Sequence, residues 1–327
     1  MSHRLPLFAD AVRFASIGPK DLERIAWSYS RRQLLEQCSR RYYYEHFGAT
    51  RLNDGPSKEL LRFLKNLENR YERAGAIMHQ VIATWFRNAQ KGDRWTADRL
   101  KHWAQNLFRR DLLFSAANPD GNSAVSQERW PAALLREYHY REANAEAVCS
   151  QVEERLVRAL DCFARSSVFA LIRERGSIAD ALVETRVRLQ GLPCKVEGQI
   201  DLAYDGTDGI TVVDWKLGNS DGAGDDSLQL AVYGLWAEQR WTDGKPVSVY
   251  KAYLGDETLV KWELTAQRRS AARVRIIQDA ERMAALQEYG EDGVIDAFTP
   301  CAQPAVCAQC CFLRACPDGR ACLGDRN

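Results

Sequence analysis

One short stretch of the chain puts acid and base chemistry side by side: Asp214 and Lys216 in "VVDWK". Two residues apart on an extended segment, they leave the same face of a strand, while Trp215 points to the other. Desolvating either charge is costly unless it meets a partner or a metal. The preceding strand pattern, "EGQIDLAY", supplies Asp201. If the two segments pair, both carboxylates can converge on one divalent cation. Downstream, Gln229 and Tyr233 in "SLQLAVYGLW" stand four apart, so one helical face presents an amide and a phenol together. Upstream, His79 in "GAIMHQVI" interrupts an apolar helix face. Each feature alone also has a bland reading: a satisfied core histidine, a strand-end ion pair, surface packing. Glu184, on the strand before Asp201, has two readings, a contact with the site or an exposed edge position, and the second is expected.

A second set of residues is independent of the first. The chain has ten cysteines, and six of them (Cys301, Cys307, Cys310, Cys311, Cys316, Cys322) fall in its last 27 residues. In a reducing compartment such a cluster reads as metal binding before disulfides. Cys307, Cys310 and Cys316 have ligand spacing, and Cys38 in "EQCSRRYYYEHF" lies far upstream. A four-cysteine set fits either an iron–sulfur cluster or zinc. Cys301 is a rival fourth ligand that would keep the set local to the tail. Cys149, Cys162 and Cys194 read as buried thiols. The stretch Arg31, Arg32, Arg40, Arg41, Tyr42, Tyr43, Tyr44 has two readings. Arg40, Arg41 and Tyr43 can line a nucleic-acid groove, or the tyrosines can pack in the core beside solvated arginines.

The elements that must position these residues follow from periodicity. A helix is expected from Ser28 through the tyrosines, with Ser30 as its cap. A long helical pattern runs from about 58 to 90. More helix follows from about 96 to 114 and from 130 to 174, with a Pro- and Gly-containing loop between them. From Ala181 the texture alternates with period two. "ALVETRVRLQ" and "CKVEGQIDLAY" form a hairpin about Gly191-Leu192-Pro193, and "GITVVDWKLG" reads as a central strand. A helix over about 225–240, strands over 246–254 and 258–264, and a helix over 266–289 lead into the tail. The expected divisions are a mainly helical region (1–180), a mixed-sheet core (181–298) and a cysteine-rich tail (299–327). The fold class is α/β.

Bulk properties exclude little. The hydrophobic fraction is 46% and the charged fraction 27%, as in ordinary globular proteins. With 45 Lys plus Arg against 44 Asp plus Glu, a nucleic-acid partner would have to be held by a local patch. No apolar run approaches the roughly 18 residues of a membrane span, and "MSHRLPLFADAVRF" lacks signal-peptide features, so a cytoplasmic protein without a membrane partner is expected. Gly244-Lys245 is followed by Pro246, so no phosphate-binding loop of a motor is legible, and any helicase would be a separate protein.

In order along the chain, Gly75 with His79, Gly198 with Asp201, Asp214 with Lys216, and Gln229 with Tyr233 resemble the RecB-like branch of the PD-(D/E)XK nucleases. That branch includes CRISPR-associated exonucleases and the nuclease domains of AddAB helicase–nucleases. The resemblance spans about residues 28–316. Asp214 stands where many members have Glu. It implies a restriction-endonuclease-like mixed sheet flanked by helices, cutting DNA with Mg or Mn. His79, Asp201, Asp214 and the backbone carbonyl of Trp215 would hold the ions, and Lys216, Gln229 and Tyr233 would complete the catalytic set. It further implies a four-iron four-sulfur cluster on Cys38, Cys307, Cys310 and Cys316. The products would carry a 5′-phosphate and a 3′-hydroxyl. The expected function is an exonuclease acting on DNA with free ends or single-stranded regions, in repair or anti-phage defence, with a helicase or defence complex as partner. The alternative is a DNA-binding or assembly subunit that kept the fold without catalysis.

Overall fold

A computed structural model describes residues 17–49, 58–121, 132–222 and 227–324. Its strands are β1 (Ala26–Trp27), β2 (Leu182–Leu189), β3 (Lys195–Gly206), β4 (Gly209–Lys216), β5 (Val247–Tyr253) and β6 (Thr258–Glu263). They form one mixed sheet. β2–β3, β3–β4 and β5–β6 pair antiparallel, and β4–β5 pair parallel. β1 pairs parallel with the start of β3, Ala26 against Lys195 and Trp27 against Val196. β2 occupies one edge of β3 from Val196 to Ala203, so β1 and β4 must share the other edge. On that shared edge β1 ends at Val196 and β4 begins at Leu202. Between them, residues 197–200 have no paired strand on that edge among the described residues.

The helices of eight or more residues are α1 (Tyr29–Gln37), α2 (Lys58–Lys65), α3 (Arg70–Ala89), α4 (Ala97–Ala117), α5 (Ala145–Arg165), α6 (Ser227–Arg240) and α7 (Ala266–Asp292). They cover both sheet faces. Ile210 and Val212 of β4 join a core with Leu230 and Leu235 of α6 and Ile276 of α7. Val213 and Trp215 join a second core with Phe86 of α3, Phe108 of α4 and Phe163 of α5. The alternation along β4 is what a strand buried on both faces requires. The Trp215 ring lies 5.2 Å from Phe163 and 5.9 Å from Phe169, centroid to centroid. Among the described residues, no helix is long and apolar enough to cross a membrane.

Several boundaries differ from the sequence reading, each for a local reason. Ser28, not Ser30, caps α1: its hydroxyl accepts from Arg31 N at 3.2 Å. The expected single helix breaks at Cys38, which is extended (φ −162°, ψ 106°) and caps the short helix Ser39–Tyr43 with its thiol. The pattern over 58–90 breaks at Asn69, whose side chain accepts from Tyr71 N and Glu72 N while Glu72 reaches back to Asn69 N. That reciprocal arrangement is a capping box, and it starts a new helix. The 130–174 pattern divides into Arg136–His139, α5, Ser167–Phe169 and Ala170–Gly176; residues 130 and 131 lie outside the described residues. The helix expected from 225 is described from Ser227.

Candidate active site

The antiparallel register that sets Leu202 against Val213 places Asp201 and Asp214 opposite each other one step further on. Asp201 Oδ2 accepts from the backbone N–H of Trp215 at 2.7 Å, which locks the two strands together at the site. Trp215 therefore meets Asp201 through its amide. Asp214 is 3% exposed, and its Oδ2 lies 2.8 Å from Lys216 Nζ. The Lys216 ammonium also lies 3.5 Å from Gln229 Oε1, and the Gln229 amide donates to the Tyr233 hydroxyl at 2.8 Å. One polar chain thus runs from the sheet to α6: Asp214, Lys216, Gln229, Tyr233. The two-residue spacing on β4 and the four-residue spacing on α6 are what bring these groups together.

From the other layer, α3 delivers His79, with Nδ1 3.1 Å from Asp201 Oδ1. The third member of this group is Glu184. Glu184 was expected at an exposed edge position; instead it is half-buried, and its carboxylate lies with His79 and Asp201. Ligand atoms of His79, Glu184 and Asp201 all lie within 4.8 Å of one another. The β2–β3 register pairs Val183 with Leu202 and Thr185 with Ile200, so Glu184 stands across from Asp201. Glu184 has φ 49°, a left-handed conformation rare for a residue with a side chain. Such strain persists only where the surroundings hold it, and it clusters at functional sites. The Gln199 amide donates to Glu184 Oε2.

Electrostatics point the same way. Burial and then the Asp201 charge push Glu184 up to about 7. Burial and Asp201 raise Asp214 to about 6 despite Lys216 beside it. Burial disfavours the His79 imidazolium, yet Asp201, with Asp214 and Glu184 behind it, lifts it to about 9. Burial raises the Tyr233 phenol far above its ordinary value, so it stays protonated. Acids crowded in low dielectric are stabilised by a divalent cation. The buried His79 Nδ1 and Asp214 Oδ2 atoms also lack a hydrogen-bond partner of good geometry, as groups awaiting coordination do. The donor set, carboxylates plus imidazole, fits Mg or Mn.

The cysteines form a separate site. Cys38, Cys301, Cys307, Cys310 and Cys316 line one recess, with Arg40, Arg41 and Tyr44 on its wall. The structure brings Cys38 to the tail and places Cys301 there too, 3.9 Å from Cys307, sulfur to sulfur. Cys38 Sγ accepts from Arg41 N at 3.4 Å, and Cys316 Sγ accepts from Gly319 N at 3.4 Å. Burial pushes the Cys38 thiol up to about 11 and, with neighbouring thiols, Cys307 up to about 12. These thiols ionise readily only against a soft cation. The donor chemistry fits a thiolate-bound metal centre.

Of the two readings of the basic–aromatic stretch, burial favours core packing for Arg40 and Tyr43. Arg40 is 9% exposed and donates through Nε to the Phe298 carbonyl at 2.7 Å, and Tyr43 is 3% exposed against Phe298. Neither leaves surface for a phosphate or a base. Arg41, partly buried, faces the thiol recess.

A mixed sheet between helical layers, with opposed aspartates, a lysine two residues on and an amide–phenol helix, defines a metal-dependent nuclease architecture. The sequence profile of the PD-(D/E)XK nuclease superfamily matches residues 26–317, and the chain belongs to that superfamily. No curated protein matches the chain. Among solved structures, the crystal structure of SSO0001 is similar at 17% sequence identity and a TM-score of 0.28, covering 56% of this chain and 80% of that one. At that score the likeness carries no weight.

Proposed function

We propose that this chain is a divalent-metal-dependent deoxyribonuclease of the RecB-like branch, acting on DNA ends, with a second metal centre on its cysteines. One observation carries the reading: the convergence of His79, Glu184 and Asp201 ligand atoms beside the Asp214–Lys216–Gln229–Tyr233 chain. His79, Asp201 and Asp214 would hold the ions, joined by the Trp215 carbonyl and by Glu184. When bound, Mg or Mn supplies an activated water and neutralises charge growing on the scissile phosphate. Lys216, fixed between Asp214 and Gln229, sets a cation where that charge develops. Gln229 and Tyr233 orient the attacked phosphate, with Tyr233 as a hydrogen-bond donor throughout the neutral range.

For the second centre we assign Cys38, Cys307, Cys310 and Cys316 as thiolate ligands of a four-iron four-sulfur cluster. The N–H···S bonds to Cys38 and Cys316 support those two, because such bonds stabilise sulfur that carries charge. The 1–180, 181–298 and 299–327 divisions then describe a helical region, a nuclease core and a tail that closes back on Cys38.

The test uses end-labelled linear and closed circular DNA, single- and double-stranded, with Mn, Mg or EDTA. The expected result is cleavage of linear substrates that needs Mn or Mg and vanishes in Asp214→Ala. Cleavage by Asp214→Ala, or cleavage that survives EDTA, overturns the assignment.

A further inference from the structure

The gap on the β3 edge opens into a cleft of about 350 Å³. It is lined by Trp27, by Gly198 and Gln199 of β3, by Tyr29 and Gln33 of α1, and by Lys216, Gln229 and Tyr233 of the proposed catalytic set. Its size sits near the low end of small-ligand pockets, about 300–1,000 Å³. A paired duplex is far too wide for it; one nucleotide is not. The cleft therefore joins residues proposed for catalysis to an aromatic side chain, Tyr29.

Tyr29 is held as a platform. The Gln33 amide donates to its hydroxyl at 3.2 Å, and the Arg32 guanidinium lies over its ring at 5.8 Å from the centroid. Arg32 is itself anchored, its Nε 3.2 Å from Asp279 Oδ2. The Trp27 indole N–H donates to the same Asp279 oxygen at 3.4 Å, so Arg32 and Trp27 share one buried acid. A ring fixed at its edge and on one face loses little entropy when a base stacks on it. Glu197 is also on the wall. Its carboxylate repels a phosphate but accepts from a base amine or a sugar hydroxyl, so the phosphate belongs at the Lys216 end.

We propose that this cleft is a subsite for one unpaired nucleotide next to the cleaved bond, with its base on Tyr29 and its phosphate at Lys216. The inference rests on the nuclease reading for the identity of that phosphate. What it adds to that reading is a residue, Tyr29, that holds the base beside the cut. Stacking platforms of this kind are tolerant of sequence, because every base has a π face.

Binding without turnover tests it separately from cleavage. Full-length Asp214→Ala protein, with and without Tyr29→Ala, is titrated in Mg against a fluorescent single-stranded oligothymidylate and a blunt duplex, read by anisotropy. Tyr29→Ala is expected to weaken single-strand binding about tenfold and leave duplex binding unchanged, while Tyr29→Phe keeps most of the affinity. In otherwise wild-type protein, Tyr29→Ala raises KM on single strands with little change in kcat. Unchanged single-strand affinity, or equal loss on both DNAs in a variant with wild-type thermal stability, overturns the subsite. Failure of the wild-type protein to cut any DNA with Mn or Mg overturns the nuclease reading and leaves the binding result standing on its own.

Discussion

Lys216 and Asp214 share a face and a contact, yet their removal should read differently. Lys216→Ala is expected to lower kcat by at least about a hundredfold while metal binding persists, since a fixed cation near developing charge is worth that much. Binding of Mn at a hundredfold its Kd should stabilise the folded protein by about 2.7 kcal/mol. That gain, measured as a shift in Tm, should shrink in Glu184→Gln and persist in Lys216→Ala. An undiminished shift in Glu184→Gln would remove Glu184 from the ligand set. A third residue governs acid stability outside the site. Burial, with the Arg31 and Lys65 charges, depresses His46 to about 3, and its Nε2 has no hydrogen-bond partner. His46 is neutral in the folded chain and ordinary when unfolded, so its contribution is complete above about 6.5 and is lost as pH falls toward 3. Unfolding in denaturant should therefore show a smaller loss of stability between pH 6.5 and 4 for His46→Gln than for wild type. The sequence named every member of the Asp214 chain, because period two and period four carry them. Glu184 was legible only by counting register through the hairpin: a turn centred between Leu192 and Pro193 sets residue 184 against 201. Its positive φ, which aims it inward, has no signature in residue type.

The elements around Cys38 show why a thiol so distant in sequence reaches the tail. Arg40 N donates to the Thr299 carbonyl at 3.3 Å and Arg40 Nε to Phe298, while the Tyr44 hydroxyl donates to Ala315 O at 3.1 Å. On the other side, buried Arg136 donates to the Ala308 and Cys310 carbonyls and pairs with Glu142. The Tyr140 hydroxyl donates to Cys311 O at 2.7 Å. Polypeptide contacts thus shape the recess before any metal enters it. Arg136→Ala should cost about 3 kcal/mol, because it strands buried carbonyls and a paired acid. Limited proteolysis is then expected to cut first in the tail; cutting first in the helical region would refute the tether. If the ligand assignment holds, Cys38→Ala should lose iron and sulfide and Cys301→Ala should keep both. The reverse counts would make the site local to the tail, and zinc in place of iron, persisting after anaerobic preparation, would end the iron–sulfur assignment. The same segment left two sequence readings open. Arginines and tyrosines in one run have no period that separates a groove from a core, and only the position of the tail decides it.

At the scale of the molecule, the helical first half is not an appendage to a nuclease core. It supplies a strand to the sheet, a histidine to the site and a wall to the cleft. The sequence gives the order of elements well, since strands and amphipathic helices announce themselves by period. It does not give the pairing of β1, which is two residues long and too short to carry a pattern. Chelation tests the coupling of the two metal centres to this whole. EDTA should abolish cleavage reversibly, with Mn restoring it at lower concentration than Mg, while the visible absorbance expected of the proposed cluster is unchanged. Loss of both together would mean one centre depends on the other. The pairing of Trp27 with Val196, and the burial of Cys38 against a tail that ends the described chain, also set a timetable. Contacts this distant in sequence form late and slowly. During synthesis α1 emerges before β3 and well before the tail against which Cys38 is buried. The cleft and the acid site draw on residues up to Tyr233, whereas the thiol recess is completed only when residues 301–316 have been made. Stalled chains ending before Thr299 should be protease-sensitive at α1 and gain protection only on release of the tail.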